Sequence, residues 1–265
     1  MTIESVGNPT TTDRDTGAGT VGGLALAAAR RQGDALTAPG LAPISYPELG
    51  RAVRDIAGGL AALGIERGDH VAILAGTRPE WTLADLGTLC AGATVVPIYQ
   101  TNSPEECEYI LAHAGVRAIF CEDAEQVAKI AQVREGCPAL EHVIVFDGTA
   151  RGAVTLAALR AGGAETGDAV VAERLAGVSP DDVATIVYTS GTTGPPKGCV
   201  ISHYNLLATV AMYVRELELR DEQMVIYLFL PLAHSLARVA QLATLEVGGT
   251  LAFWGGDPAR IAAAP

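Results

Sequence analysis

The apolar positions of the chain fall into two alternating rhythms. From Tyr46, the residues Leu49, Val53, Ile56, Leu60 and Leu63 recur at steps of four and three, which lines one face of a helix. Ser45 and Glu48 frame its start as a capping box, Pro47 lies in its first turn, and Gly64 can close its end. After Gly68-Asp69 the rhythm shortens. Val71–Leu74 is an unbroken apolar run that predicts a buried strand. Thr77 with Glu80 predicts a second capping box, opening a helix through Leu83, Leu86 and Cys90 that Gly92 ends. Thr94–Tyr99 predicts the next strand, and Ser103 with Glu106 a third box whose helix stops at Gly115. Arg117–Cys121 reads as a strand, Asp123 to about Glu135 as a helix, and His142–Phe146 as a strand.

Past Asp147 the pattern loosens. Residues 147–177 are rich in Gly, Ala and charge and predict a connector with one short helix, Leu156–Leu159. Ser179-Pro180-Asp181-Asp182 leads into an apolar run, Val183–Val187, that predicts a strand. Cys199–Ser202 predicts a short strand. Ser202 then caps a helix from His203 to about Glu218, with Leu206, Leu207, Val210 and Val214 on its buried face. Val225–Leu230 predicts a strand, and a last one lies between Leu245 and Trp254. Short apolar strands separated by capped helices imply an α/β fold: a parallel sheet with flanking helices and right-handed crossovers. Residues 1–20 are rich in Thr, Gly and Asp without an apolar period and predict a disordered tail, with order beginning near Val21.

Composition narrows the classes. With 265 residues, the chain can bury a large core. A formal net charge of −12 disfavours nucleic acid as a partner, though not ATP, whose site is a local matter. The longest apolar run, Val225–Ala233, contains Pro231 and falls short of the ~18 residues of a membrane span. The five cysteines are scattered and odd in number, which argues against a disulfide framework or a zinc site and suits a reducing cytosol. Cytoplasmic localisation is therefore expected.

Chemistry concentrates in Tyr188-Thr189-Ser190-Gly191-Thr192-Thr193-Gly194-Pro195-Pro196-Lys197-Gly198. Gly191 and Gly194 allow the backbone to turn and to bring N–H groups close to a ligand. Successive N–H groups in such a turn form a concave anion site. Ser190, Thr192 and Thr193 add rotatable donors, and Lys197 adds a compact positive charge suited to a polyphosphate. Pro195 and Pro196 stiffen the path into Lys197. The stretch thus predicts a loop for the phosphates of a nucleotide, and its apolar, β-rich flanks predict that it joins two strands. It does not match Gly-x-x-x-x-Gly-Lys-[Ser/Thr]: counted from Gly191, the second glycine falls on Pro196. The dinucleotide fingerprint is missing too, because Gly76 stands alone after its strand.

The eleven-residue stretch closely resembles the Ser/Thr/Gly-rich signature of the adenylate-forming (AMP-binding) superfamily. Gly68-Asp69-His70-Val71-Ala72-Ile73, Arg78-Pro79-Glu80-Trp81 and Ala91-Gly92-Ala93-Thr94-Val95-Val96-Pro97-Ile98-Tyr99 resemble the opening segments of its long-chain fatty acid–CoA ligases. Leu230-Pro231-Leu232-Ala233-His234 resembles the segment where fatty acid and nucleotide meet in those enzymes. Arg238 matches a family arginine, whereas Leu236 and Ala237 depart from the usual aromatic and acidic residues. His203 and Asn205 match a family motif, although a role in completing the helix cap is the better reading for both.

The resemblance implies ATP-dependent activation of a fatty acid to an acyl-adenylate and then an acyl-CoA, with ATP, Mg2+ and CoA as cofactors. It implies Lys197 and His234 as catalytic residues. Thr189, Ser190, Gly191, Thr192, Thr193, Gly194 and Lys197 would hold the nucleotide, with Thr189 near magnesium. Peripheral membrane contact is compatible with such a substrate. It further implies that residues 21–265 are an incomplete N-terminal AMP-binding domain. Family members continue with a Tyr-Gly-x-Thr-Glu segment, a Thr-Gly-Asp segment, a hinge and a C-terminal domain, and no such segments follow Lys197 here. Thr166-Gly167-Asp168 spells one triplet but precedes the loop, a coincidence. The chain alone is accordingly expected not to turn over fatty acid, ATP and CoA. Two other readings stay open: adenylation of an aryl, amino or short-chain acid, and a non-catalytic truncated fragment.

Overall fold

A computed structural model describes residues 19–189, 195–220 and 223–254. The chain opens with α1 (Val21–Ala28), β1 (Asp34–Thr37), β2 (Ile44–Ser45) and α2 (Tyr46–Ala62). An alternation follows: β3 (His70–Leu74), α3 (Pro79–Cys90), β4 (Thr94–Ile98), α4 (Pro104–Ala114), β5 (Ala118–Cys121), α5 (Ala124–Val133) and β6 (His142–Val145). Next come β7 (Val154–Thr155), α6 (Leu156–Thr166), α7 (Asp168–Ala176), β8 (Val183–Thr189), β9 (Lys197–Ser202) and α8 (His203–Glu216). The last elements are β10 (Val225–Leu228), α9 (Ser235–Val247) and β11 (Thr250–Phe253).

Seven strands form one sheet in the order β7-β6-β5-β3-β4-β8-β9, parallel except for β9, which runs antiparallel to β8 at the edge. Alternate residues of its strands feed two cores. Val71, Ile73, Val95, Ala118, Phe120 and Ile144 pack toward α2, α3 and α6. Ala72, Leu74, Val96, Ile98, Ile119 and Cys121 pack toward α4 and α5. Both faces are covered, as parallel sheets require. A second sheet has the order β10-β11-β1-β2, in which β1 lies parallel to β11 with Leu36 opposite Leu251. The sequence pattern predicts β10 and β11 as strands but neither β1 and β2 nor a second sheet.

The capping boxes at Ser45 and Ser103 form as expected, each with reciprocal bonds to the glutamate three residues on. The connector departs from expectation. It holds two helices, α6 and α7, and Thr166-Gly167-Asp168 marks the break between them, where Gly167 has a φ of 85°. The extra length lets α6 lie on α2 at very close range. A Cβ on Gly163 would sit 1.7 Å from the Asp55 carbonyl oxygen, so this crossing admits no side chain at that position. Burial pushes the Cys90 and Cys121 thiols up to about 12 and the Cys107 thiol to about 11, so these behave as small core residues.

Candidate active site

The β8–β9 hairpin carries the residues singled out for phosphate. Lys197 opens β9 instead of a helix, so the loop joins two strands as predicted. The antiparallel register sets Thr189 opposite Lys197 at the open end of the hairpin. Directly opposed residues share a face, and both are exposed. The next pair inward, Tyr188 and Gly198, faces the other way, with Tyr188 buried. A Cβ on Gly198 would stand 2.8 Å from Ile186 Cγ2 and 3.3 Å from Tyr188 Cζ, so the aromatic ring occupies the space a side chain would need. Ser190, Gly191, Thr192, Thr193 and Gly194 lie outside the described residues.

Two threonines fasten this hairpin to the sheet. Thr94 Oγ1 donates to the Val183 carbonyl and Thr185 Oγ1 to the Val95 carbonyl, both at 2.8 Å. They reinforce a β4–β8 pairing that shows a single register pair, Val95 with Thr185.

His234 is the N-cap of α9 and is exposed. Its Nδ1 accepts from the Leu236 N–H at 3.3 Å, so Nε2 is the ring nitrogen left to donate. The preceding segment is tied to the end of β3. Thr77 Oγ1 donates to the Leu230 carbonyl at 3.1 Å and accepts from the Leu232 N–H at 2.9 Å. The expected Thr77–Glu80 capping box is therefore not what forms. Arg78 is the N-cap of α3 without a side-chain bond, and Pro79 begins the helix. Glu80 pairs with Arg78 at 2.6 Å. The Thr77 hydroxyl is drawn away by two backbone groups of the His234 segment.

Arg238 belongs to the interior. It is 1% exposed and reaches Asp85, itself fully buried, through Nη2 at 2.5 Å and Nε at 3.3 Å. Gln241 Nε2 donates to the second Asp85 oxygen at 2.9 Å, and Thr82 Oγ1 donates to Gln241 Oε1 at 2.6 Å. The Trp81 ring lies 5.8 Å from the guanidinium carbon. Burial pushes the Asp85 carboxyl up, opposed by the Arg238 charge and by bonds from Arg238 and Gln241. This network welds the first turns of α9 to α3 and fixes the helix that His234 caps.

The two motif residues at the start of α8 do structural work. Asn205 completes a capping box with Ser202. His203 is buried, and its Nδ1 accepts from the Val21 N–H at 3.2 Å, holding the start of α1. Burial pushes its pKa down to about 4.

A hard cation takes oxygen ligands. Thr189 offers one neutral hydroxyl, and among the described residues no group of three His, Cys, Asp or Glu could hold a metal. Thr189 does not by itself make a protein metal site.

A model of the family described as "AMP-binding enzyme" matches residues 26–264. The chain belongs to that family. Among similar AMP-binding proteins, a long-chain-fatty-acid–CoA ligase of Mycobacterium bovis is 35% identical over 79% of this chain and 35% of its own length. A peroxisomal long-chain acyl-CoA synthetase of Arabidopsis thaliana is 34% identical over 82% of this chain and 32% of its own. The chain thus spans about a third of the length of the curated relatives it matches. The fold matches an anthranilate CoA ligase bound to anthranoyl-AMP, with TM-score 0.78, 22% identity and coverage of 92% of this chain and 46% of that one. It also matches the inhibitor-bound N-terminal domain of FACL13 from Mycobacterium tuberculosis, with TM-score 0.74, 24% identity and coverage of 91% and 59%. Among the described residues, no helix is long and apolar enough to cross a membrane.

Sequence reasoning missed Thr77 as a bridge and Asp85 as the partner of Arg238. Asp85 carried a signal, as a carboxylate inside an otherwise apolar helix stretch. Thr77 carried none, because its partners are 153 and 155 residues away.

Proposed function

We propose that the protein takes part in ATP-dependent activation of a long-chain fatty acid, forming an acyl-adenylate and then an acyl-CoA. The observation that carries the reading is the opposition of Thr189 and Lys197 at the end of the hairpin, in a chain whose relatives are long-chain-fatty-acid–CoA ligases. A carboxylate oxygen attacks the α-phosphorus and pyrophosphate leaves. The CoA sulfur then attacks the acyl carbon, and AMP leaves with the electron pair of the broken bond. The first step asks the protein mainly to position charge and to stabilise it. Lys197 supplies a cation for the β- and γ-phosphates. Thr189 lies beside it for a magnesium ion carried on them. Ser190, Gly191, Thr192, Thr193 and Gly194 supply the remaining donors on the strength of the family resemblance. His234 offers its Nε2–H to the carboxylate or to an α-phosphate oxygen. The free cysteines, four of them buried, suit a reducing compartment such as the cytoplasm.

The test is acid-dependent exchange of pyrophosphate into ATP by a version of the protein extended to the length of its long-chain-fatty-acid–CoA ligase relatives, run in parallel with long-chain, aryl, amino and short-chain acids, with residues 1–265 alone as the silent control. Exchange that depends on the long-chain acid is the expected result. Exchange with another acid class alone would replace the substrate. Failure to bind Mg-ATP at all would leave the non-catalytic reading in its place.

A further inference from the structure

One helix packed on the larger sheet reaches β8 of the hairpin and the residue that leads into β9, and the reading above makes no use of it. His113 Nδ1 of α4 lies 2.7 Å from the Tyr188 hydroxyl, and the Tyr109 hydroxyl of α4 donates to the Pro196 carbonyl at 3.1 Å. Tyr188 immediately precedes Thr189, and Pro196 immediately precedes Lys197. The three rings form a small box. Tyr109 and His113 stack at 5.4 Å with an interplanar angle of 23°, and Tyr188 meets both edge-on, at 89° and 87°. On its other side, Tyr188 covers Gly198 of β9. One turn of α4 thus holds the Tyr188 side chain and the Pro196 carbonyl, the residues just before the two exposed ones.

We propose that Tyr109 and His113 are positioning residues for Thr189 and Lys197. The inference rests on the phosphate reading of that pair. Among the described residues β9 is an edge strand with a single hydrogen-bonded neighbour, and strand ends of this kind open readily. A lysine placed by a fraying strand end would have to be ordered by its ligand, which weakens binding. The α4 contacts supply that order in advance, from a helix whose own start is fixed by the Ser103–Glu106 box. His113 and Tyr109 touch the hairpin on the face opposite Thr189 and Lys197, so they act without touching phosphate.

The chain has two lysines, Lys129 and Lys197, so a lysine-specific protease gives a direct readout. Lys129 lies within α5 and donates to the carbonyls of Gln100 and Asn102. Cleavage after Lys197 reports opening of the hairpin end. For Tyr109→Phe and His113→Leu we expect cleavage after Lys197 to accelerate roughly three- to tenfold, as fits the loss of one hydrogen bond. The melting temperature should fall by no more than the ~2–4 °C that one hydrogen bond is worth in a chain of this size, and cleavage after Lys129 should stay at the wild-type rate. His113→Asn keeps a polar group near the Nδ1 position and should restore the slow rate. By calorimetry, the same two variants should raise the Kd for Mg-ATP and for inorganic pyrophosphate by a similar factor. Lys197→Ala is the control for the underlying reading. If Lys197→Ala binds both probes like wild type, or if the wild type binds neither, the phosphate reading falls. If Lys197→Ala weakens binding while both α4 variants match wild type in cleavage and Kd, this inference alone falls. Faster cleavage that merely tracks a lower melting temperature, without rescue by His113→Asn, also overturns it in favour of plain packing.

Discussion

Arg238 and Lys197 are both cations matched to motifs of the AMP-binding family, and the fold gives them opposite surroundings. Arg238 is 1% exposed, paired with Asp85 and framed by Gln241 and the Trp81 ring. Lys197 is exposed at the end of an edge hairpin, with a threonine across from it. A buried cation without a partner is untenable, so Arg238 is committed to Asp85 before any ligand arrives. An exposed lysine keeps its hydration and its donors until a phosphate replaces them. A motif match therefore does not tell a ligand-facing cation from a structural one; burial and pairing do.

The sharpest way to break this contrast is to remove one partner of the buried pair. Asp85→Ala leaves Arg238 buried and uncompensated, and should destabilise the fold by about 3–5 kcal/mol in urea unfolding. The double variant Asp85→Leu with Arg238→Met removes both charges and should recover most of that loss. A double variant as unstable as the single one would show that the network does more than satisfy its own charges.

Lys197→Ala should do the reverse. Binding of Mg-ATP should weaken by about 1.5–3 kcal/mol through a lost charge-assisted contact, with the urea midpoint unchanged. A shifted midpoint with intact binding would move Lys197 to the structural class beside Arg238.

An effect spread over a pH range sharpens the rule for a neutral buried group. The unfolded chain protonates His203 near its ordinary value of 6.5, the folded chain only at about 4. Because folding depresses this pKa, the stability is complete above pH 6.5 and is lost as the pH falls toward 4, at up to about 1.4 kcal/mol per pH unit. Protonation also removes the lone pair that accepts from Val21 N–H. His203→Gln should flatten that part of the stability profile, measured as urea midpoints between pH 4 and 7. An unchanged slope would assign the pH dependence to other groups.

The legible parts of the fold are those set by neighbours in sequence. Ser45 with Glu48 and Ser103 with Glu106 are three residues apart, and both boxes form. The strands from β3 to β6 are apolar runs, since both of their faces are covered. Of the smaller sheet, β10 and β11 were legible as strands, but β1, β2 and their assembly into a second sheet were not. β1 is only Asp34–Thr37, and it exists because Leu251 and Ala252 lie alongside it. At the site, the β-rich flanks of Thr189 and Lys197 announced a hairpin. The grip of Tyr109 and His113 on it did not show, because those contacts span 87 and 75 residues. Thr77 was misread for the same reason: a local cap was available, and distant backbone groups won the hydroxyl.

The place of β1 between β2 and β11 also bears on how the chain is made. Thr250 Oγ1 donates to the Asp34 carbonyl across 216 residues, and the Tyr46 hydroxyl donates to Gly249 across 203. At a translation rate of about 5–20 residues per second, β1 waits roughly 10–40 s for its parallel neighbour to be synthesised. The seven-stranded sheet needs nothing beyond Ser202. A ribosome paused just before Thr250 thus presents a nascent chain with the β8–β9 hairpin already paired and β1 held by the two residues of β2 alone.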